Sequence, residues 1–422
     1  MGRRVVLAAF GSFGDLHPML GIALALKARG AHPIIASHPD YRAKVEAAGI
    51  DFVGAGPSFT ELQGVEGLTP AAAIERMARD QAFLYRNIVT PTIDAWVQDL
   101  TPVISECDLV VGTALTYAAD IVARLAGKPF ITAALSPAVL LSAHDPLKMP
   151  GAPLILQPKG ALGRTYNRAI LVAGHAMMAR ALTGVNAAYR RHGLKPSATV
   201  TGVTSNHLTL ALYSPLLMGP QPDNPPHTHI TGFPFYDSET GGFSVLHPRL
   251  DAFLDAGSPP FVFSLGSVVV NDGESFYRVA MDAAGALNER CVVLCGPESP
   301  LLGVDFGPNV CVVAYAPHSL LFPRARAVIH HGGIGSTGQA LRAGRPQLVT
   351  PVFADQFDNG WRCERLGVAR TLDYKNWTAA RATQALQRLL ASAAIAEHAL
   401  QVAARVMTER GADMAADLLL RA

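Results

Sequence analysis

The chain has 422 residues, of which 50% are hydrophobic and 16% are charged, so it can bury more than one hydrophobic core. Its formal net charge of +2 gives no strong basic field, which argues against nucleic acid as a partner. The five cysteines are odd in number and stand mostly in apolar runs, which argues against a disulfide framework. Two domains with reduced thiols are expected.

The N-terminus places basic residues before an apolar run, as a signal peptide does. The run stops at Gly11 and Asp15 and no small-residue cleavage site follows, so it predicts a first β-strand instead. No apolar run reaches the roughly 18 residues that span a bilayer. The sequence therefore predicts a cytoplasmic protein.

The first half alternates short apolar runs with helical patterns. The predicted strands are residues 5–10, 33–37, 109–112 and 130–133, and the predicted helices are residues 18–29, 41–48 and 117–126. This alternation predicts a doubly wound parallel sheet with helices on both faces. Residues 60–97 between them show a helical pattern around Phe83 and Tyr85, which could line a pocket or simply pack in the core.

A proline-rich stretch, residues 215–226, interrupts the alternation, which resumes with apolar runs at residues 261–265, 291–294, 310–313, 327–329 and 347–350. These runs predict a second sheet of the same class. We expect an N-terminal domain over residues 1–215, a linker over 216–245, a C-terminal domain over 246–400 and a final helix over 401–422. Residues 163–193 carry several arginines among apolar residues, which could form an amphipathic helix at a membrane or a solvated basic face.

The most informative stretch is a strand, residues 327–329, that runs into a glycine-rich turn, residues 330–335, and a helix, residues 336–343. The first N–H groups of a helix have no intrahelical partner and attract anions, and glycines let the backbone approach a ligand. Diphosphate contacts are therefore predicted at His331, Gly333, Gly335, Ser336 and Thr337. Alternatively, His330 and His331 are packing residues at a strand end.

A carboxylate and an amide, Asp355 and Gln356, follow the next strand, at the sheet edge where ligands of parallel sheets bind. This pair and the turn resemble the donor-binding signature of family 1 glycosyltransferases, a His-x-Gly-x-x-Ser-Thr turn for the diphosphate and an Asp-Gln pair for the sugar. Residues 11–18, 135–144, 231–234 and 314–317 also match. The similarity is greatest to the bacterial branch that includes the rhamnolipid-forming rhamnosyltransferase and the glycosyltransferases of antibiotics and sterols.

The resemblance implies the GT-B fold, in which two Rossmann-like parallel-sheet domains face each other across a cleft and the terminal helix packs back on the N-terminal domain. It also implies inverting transfer of a hexose, glucose or rhamnose, from a UDP- or dTDP-sugar to a hydroxyl of a lipophilic or aromatic small molecule. No cofactor and no metal are expected. A GT-B epimerase and a non-catalytic nucleotide-sugar-binding protein are the alternatives, and a monomer or a homodimer is expected.

Asp15 stands at the position of the catalytic base in the family, and His17 is the alternative. Either residue could instead have a structural role, Asp15 as a cap of a helix that begins near His17 and His17 in packing. The other donor contacts implied by the resemblance are Ser267, Tyr315, Ala316, His318 and Gln339. Gln339 stands where UDP-dependent members often carry a Glu, which makes dTDP plausible. The predicted acceptor-side residues are Phe13, Ser136, Pro137 and His144.

Overall fold

The computed structural model describes residues 2–63, 76, 80–149, 160–236, 238, 244–266 and 273–422. The chain divides into two units. The first consists of Met1–Tyr236 and Arg410–Ala422, and the second of Asp237–Glu409. A parallel sheet forms the centre of each unit.

The first unit is built on seven parallel strands and a short antiparallel hairpin. Its described strands are β1 Arg4–Ala8, β2 His32–Ser37, β3 Asp51–Gly54, β4 Leu109–Gly112, β5 Phe130–Ala134, β6 Ala198–Thr199, β7 Gly202–Val203, β8 Thr209–Ala211 and β9 Thr228–Ile230. The sheet order is β3-β2-β1-β4-β5-β8-β9, and β6 pairs with β7. Val5 and Leu7 of β1 enter one hydrophobic core while Val6 and Ala8 enter another, because successive side chains of a strand point to opposite faces.

Helices cover both faces of this sheet. Those before residue 200 are α1 Phe13–Lys27, α2 Arg42–Ala47, α3 Phe59–Gln63, α4 Gln81–Phe83, α5 Thr90–Ser105, α6 Tyr117–Leu125, α7 Ala161–Met178 and α8 Thr183–Arg191, with a π-helical turn at Leu84–Val89. The helix predicted over residues 18–29 begins earlier, at Phe13, because Ser12 caps it. Pro18 therefore lies inside the helix rather than at its start.

The second unit contains six parallel strands. They are β10 Phe261–Ser264, β11 Cys291–Leu294, β12 Val310–Val313, β13 Ala327–His330, β14 Gln347–Val349 and β15 Ala369–Thr371, in the order β12-β11-β10-β13-β14-β15. Its described helices are α9 Pro248–Asp255, α10 Glu274–Ala286, α11 His318–Leu321, α12 Ile334–Ala343, α13 Gln356–Arg365, α14 Ala379–Leu390 and α15 Ala393–Val406. The prediction of two parallel-sheet α/β domains is confirmed.

The last helix, α16 Gly411–Arg421, belongs to the first unit and packs against α1. Its Leu419 is buried in the same hydrophobic core as Val5 and Leu7. The guanidinium of Arg29 bonds Asp413 at 2.9 Å and Asp417 at 2.7 Å. None of the helices in the described ranges is long and apolar enough to cross a membrane.

The boundary between the two units, after Tyr236, lies inside the predicted linker, residues 216–245. The edge strand β9 lies inside that range and pairs with β8, with Thr209 opposite Thr228. Prolines before an edge strand are tolerated because the missing N–H groups are not needed for the sheet, so this proline-rich stretch is a connection within the first unit. The C-terminal domain was predicted over residues 246–400, and the second unit continues through α15, which ends at Val406, to Glu409.

In both sheets the strand order reverses beside the first strand of the unit. The connections leave β1 and β4 in opposite directions along the first sheet, and β10 and β13 do so in the second. Ligands of doubly wound sheets bind at the carboxyl ends of the strands at such a switch point. In each unit, some of the predicted site residues lie in the loops that begin at its switch point.

Candidate functional site

At the switch point of the second unit, β10 and β13 pair in register with Ser264 beside His330. The loops that follow the two strands therefore leave the same edge of the sheet side by side. One loop begins with Leu265 and Gly266, and the other is the predicted diphosphate turn. Ser267, a predicted diphosphate contact, lies outside the described residues.

His330 holds the turn from inside the unit. Its fully buried imidazole accepts a hydrogen bond from the Gly332 N–H at Nδ1, 3.1 Å, so Nε2 carries the proton and donates to Gln347 Oε1 at 3.0 Å. Burial lowers the pKa of His330 to about 4, which keeps the ring neutral at pH 7. The alternative of a packing residue therefore describes His330 correctly.

His331 has a different environment. Its imidazole lies against two glycines, since a Cβ at Gly266 would stand 2.3 Å from Cε1 and a Cβ at Gly333 would stand 2.3 Å from Nε2. In the described part of the chain, its buried Nδ1 has no hydrogen-bond partner. Burial lowers the pKa of His331 to about 3, so this imidazole is also neutral at pH 7. A buried nitrogen without a partner is costly, and a ligand oxygen would relieve that cost.

Helix α12 begins directly after this turn. Gly332 has a φ of +89° and a Cβ there would stand 2.8 Å from Val349 Cγ1, so only glycine fits the turn. A Cβ at Gly335, in the first turn of the helix, would meet no atom within 4 Å. The first turn of α12 therefore has open space beside Gly335, and an anion site at a helix N-terminus needs such space.

Ser336 and Thr337, whose hydroxyls are predicted to contact the diphosphate, differ in exposure. Because α12 begins at Ile334 rather than at the predicted residue 336, Ser336 and Thr337 lie in its first turn and not at its first position. Ser336 is half-buried, whereas Thr337 is fully buried. Thr337 thus lies inside the unit rather than on the open side of the turn.

Asp355 is the N-cap residue of α13, and its Oδ2 accepts from Asn359 Nδ2 at 3.0 Å. The same Asn359 nitrogen donates to the Gly332 carbonyl at 2.9 Å. Asn359 therefore connects the diphosphate turn to the predicted sugar-binding carboxylate. No role was predicted for Asn359 from the sequence, although its position four residues after Asp355 on one helix was a usable signal.

The side chain of Gln356, the second predicted sugar contact, bonds within its own unit. Its Oε1 accepts from the N–H groups of Val352, 2.8 Å, and Phe353, 3.2 Å. The carbonyl oxygen of the amide is therefore used to hold the preceding loop. Only the NH₂ group is left to contact a ligand.

The loop after β12 holds the residues predicted to contact the nucleotide base. Tyr315 is half-buried, and its ring meets His318 edge-on with centroids 6.4 Å apart. His318 in turn packs edge-on against Phe322 at 4.3 Å, while Ala316 is buried. Gln339, predicted to meet the ribose, is nearly buried in α12, and its Oε1 lacks a partner among the described residues.

At the switch point of the first unit, Asp15 takes part in a capping box. Ser12 Oγ accepts from the Gly14 N–H at 3.1 Å, and Asp15 Oδ2 accepts from the Ser12 N–H at 3.1 Å. Asp15 is the third residue of α1, so the expected cap of a helix that begins near His17 is wrong in position. The carboxylate is nevertheless fixed by the start of a helix.

Gly11 is held from two sides by residues that follow β2. Its N–H donates to His38 Nε2 at 3.3 Å, and its carbonyl accepts from the Tyr41 hydroxyl at 2.9 Å. His38 Nδ1 donates to the Pro57 carbonyl at 2.9 Å, and burial lowers the pKa of His38, so the ring stays neutral. Gly11 has a φ of +135°, and a Cβ there would stand 2.3 Å from Asp15 Oδ2. We call the contacts of His38 and Tyr41 with Gly11 the Gly11 clamp.

The alternative base, His17, lies among aromatic rings. It stacks on Phe13 with centroids 5.2 Å apart and meets Tyr236 edge-on at 5.4 Å. The ammonium group of Lys44 lies 4.5 Å from the centre of the Phe13 ring. Packing is thus a substantial part of the role of His17.

The segment after β5, which is predicted to contact the acceptor, is held by Asp223, a residue of the predicted linker. Asp223 accepts from Ser142 Oγ at 2.6 Å and from the Ala143 N–H at 2.7 Å, directly before His144. Ser136 and Pro137 are buried and His144 is half-buried. No group of three or more metal-ligating side chains occurs among the residues that the structure describes.

Comparisons with known proteins show which proteins the chain is similar to. Residues 278–418 match the family model of the erythromycin biosynthesis protein CIII-like C-terminal domain. The chain is 28% identical to the O-mycaminosyltylonolide 6-deoxyallosyltransferase of Streptomyces fradiae, over 99% of this chain and 96% of that protein. It is also 28% identical to a sterol 3-beta-glucosyltransferase of Aspergillus oryzae, where 99% of the chain spans only 30% of that protein.

Solved structures show the same fold. The glycotransferase of kitacinnamycin has a TM-score of 0.71 at 22% identity, over 100% of this chain and 99% of that chain. The glycosyltransferase VinC in complex with dTDP has a TM-score of 0.68 at 22% identity, over 99% of this chain and 98% of that chain. The predicted fold class and family resemblance are confirmed: the chain has the fold of GT-B glycosyltransferases and is similar in sequence to antibiotic and sterol glycosyltransferases.

Proposed function

We propose that this protein is a nucleotide-sugar-dependent glycosyltransferase that moves a hexose, with inversion, to a hydroxyl of a small molecule. The observation that carries the proposal is the turn after β13. There, a neutral His331 lies between Gly266 and Gly333, next to the open N-terminus of α12. A site of this kind suits a diphosphate.

The second unit would bind the donor. When the bond between sugar and diphosphate breaks, negative charge develops on the leaving oxygens. The first N–H groups of α12 and a hydrogen bond from His331 would stabilise that charge, so we propose that they act in place of a metal ion and that no cofactor is needed. Because the pKa of His331 is lowered to about 3, its contribution is a neutral hydrogen bond rather than a full charge.

Asp355 would bind the hydroxyls of the sugar. Its carboxylate is oriented by Asn359, which also bonds the diphosphate turn, so the two parts of the donor site are mechanically connected. Gln356 would add one amide donor. Loss of Asp355 should therefore weaken binding of the complete donor more than binding of the bare nucleoside diphosphate.

Asp15 is the proposed general base, which takes the proton of the acceptor hydroxyl. Its place at the start of α1, at the switch point of the first sheet, and its fixed orientation in the capping box support the assignment. His17 remains the alternative, and its packing against Phe13 and Tyr236 favours it less.

The proposed identity of the substrates rests on single residues and on the named relatives. Gln339 provides a neutral amide at the ribose, which favours dTDP over UDP. The half-buried Tyr315 would stack on the base, with Ala316 and His318 beside it. Relatives named for a sterol and for a tylonolide support a lipophilic or aromatic acceptor. The proposed sugar is glucose or rhamnose. A cytoplasmic location and a monomeric or dimeric state remain predictions.

The test combines donor and acceptor screens. The protein is incubated with dTDP- and UDP-hexoses and with phenolic, sterol and hydroxy-acyl alcohols, and products are identified by mass spectrometry. Transfer predicts a hexosylated alcohol together with the free nucleoside diphosphate. Conversion of the donor sugar without an acceptor would indicate an epimerase, and an unchanged donor that nevertheless binds would indicate a binding protein.

A further inference from the structure

Helix α7 exposes a wide apolar face. Leu162 is 88% exposed, Met177 75%, Val172 64% and Tyr166 48%. Of the residues of this helix only Asn167 is buried, and its Nδ2 donates to the Ala143 carbonyl at 3.0 Å. Large exposed apolar side chains gathered on one helix commonly mark an interaction surface.

The exposed side chains follow the helical repeat. Spacings of four and three residues place Leu162, Tyr166, Ala169, Ala173 and Ala176 on one face of α7, and all five are exposed. Val172 and Met177 lie on the two edges of that stripe. We call these seven residues the α7 face.

The chain segment that contains the α7 face carries charge of one sign. No Asp or Glu occurs between Asp145 and Asp223. The lysines and arginines of this stretch are Lys148, Lys159, Arg164, Arg168, Arg180, Arg190, Arg191 and Lys195. Within the described part of the chain, Arg164, Arg168 and Arg180 take part in no ion pair, whereas Arg191 pairs with Asp94 at 2.7 Å.

We propose that the α7 face docks on an anionic lipid surface. A helix with an apolar face and basic, acid-free flanks lies in the plane of a membrane interface, with its apolar side chains among the acyl chains and its arginines at the phosphates. A second copy of the chain fits less well, because a symmetric contact would bring together two copies of a helix that carries arginines and no acidic residue. This surface is separate from the proposed transferase function and does not depend on it.

Lipid binding is tested by co-sedimentation of the full chain with vesicles of phosphatidylcholine, with and without phosphatidylglycerol. We expect binding that requires phosphatidylglycerol and weakens with salt. Leu162→Glu should abolish it, and Arg168→Gln should weaken it by about fivefold. Leu400→Glu, a change at an exposed leucine on α15, is the matched control and should bind as the wild type does.

Folding is checked by comparing thermal unfolding, which should not change because Leu162 is exposed. Wild-type protein that stays in the supernatant with anionic vesicles would overturn the proposal. So would binding that Leu162→Glu leaves intact. A concentration-dependent dimer that Leu162→Glu disperses, without lipid binding by the wild type, would instead assign the α7 face to a second copy.

Discussion

The loop after β1 and the turn after β13 leave their sheets at equivalent places, but different contacts hold them. The turn is fixed through His330 at the end of its own strand, through glycines without space for a Cβ, and through Asn359 of α13. The loop is fixed from a neighbouring strand, through the Gly11 clamp. Each is therefore held in part by residues that follow a neighbouring strand. His330, a buried residue of β13 itself, additionally holds the turn, whereas the capping box of Ser12 and Asp15 additionally holds the loop.

The largest expected effect concerns the loop. Asp15→Asn keeps an oxygen that can accept from the Ser12 N–H but removes the base, so turnover should fall by about 10²–10⁴-fold. Affinity for dTDP, measured by calorimetry, should stay at the wild-type value. His17→Ala is the matched comparison and should lose less activity. An active Asp15→Asn beside an inactive His17→Ala would reverse the assignment of the base.

The buried His330 of the turn should make the free energy of unfolding depend on pH. His330 has a pKa of about 4 when folded and about 6.5 when unfolded, so below pH 6.5 the unfolded chain binds the proton first. The free energy of unfolding should thus fall as pH falls, by about 2 kcal/mol through His330 between pH 7.5 and 5.0. Denaturant titrations at both pH values measure it. His330→Gln should lose that share of the dependence, and an unchanged slope would show that His330 does not bear the proton linkage.

A smaller effect isolates the Gly11 clamp. Tyr41→Phe removes one hydrogen bond to the Gly11 carbonyl, so kcat should fall about twofold to tenfold while donor affinity is kept. Tyr374→Phe, a change outside the first unit, is the control. If Tyr41→Phe lowered donor affinity and left kcat intact, the clamp would not act through Asp15.

The smallest effect concerns the choice of nucleotide. Gln339→Glu would give a ribose hydroxyl a charged acceptor, which should shift the ratio of dTDP to UDP affinity toward UDP by no more than about fivefold. Competition binding with the two diphosphates measures the ratio. Wild-type protein that already prefers UDP, with no change in the variant, would remove Gln339 from the account of specificity.

Features formed by residues close together in the sequence were predicted, whereas contacts between distant segments were not. The diphosphate turn was predictable because strand, glycines and helix follow one another within residues 327–343. His38 and Tyr41 act on Gly11 from another strand, and a sequence pattern does not show which loops meet. Prolines near β9 indicated a linker, although Asp223 in that stretch holds the segment before His144.

The proposed function depends most on binding of a diphosphate by the turn after β13. Calorimetric titration of wild type and His331→Ala with dTDP tests it directly. A hydrogen bond to a charged group contributes about 1.5–3 kcal/mol, so the variant should bind roughly tenfold to hundredfold more weakly at an unchanged melting temperature. Equal affinity of the two proteins for dTDP and for UDP would contradict the claim.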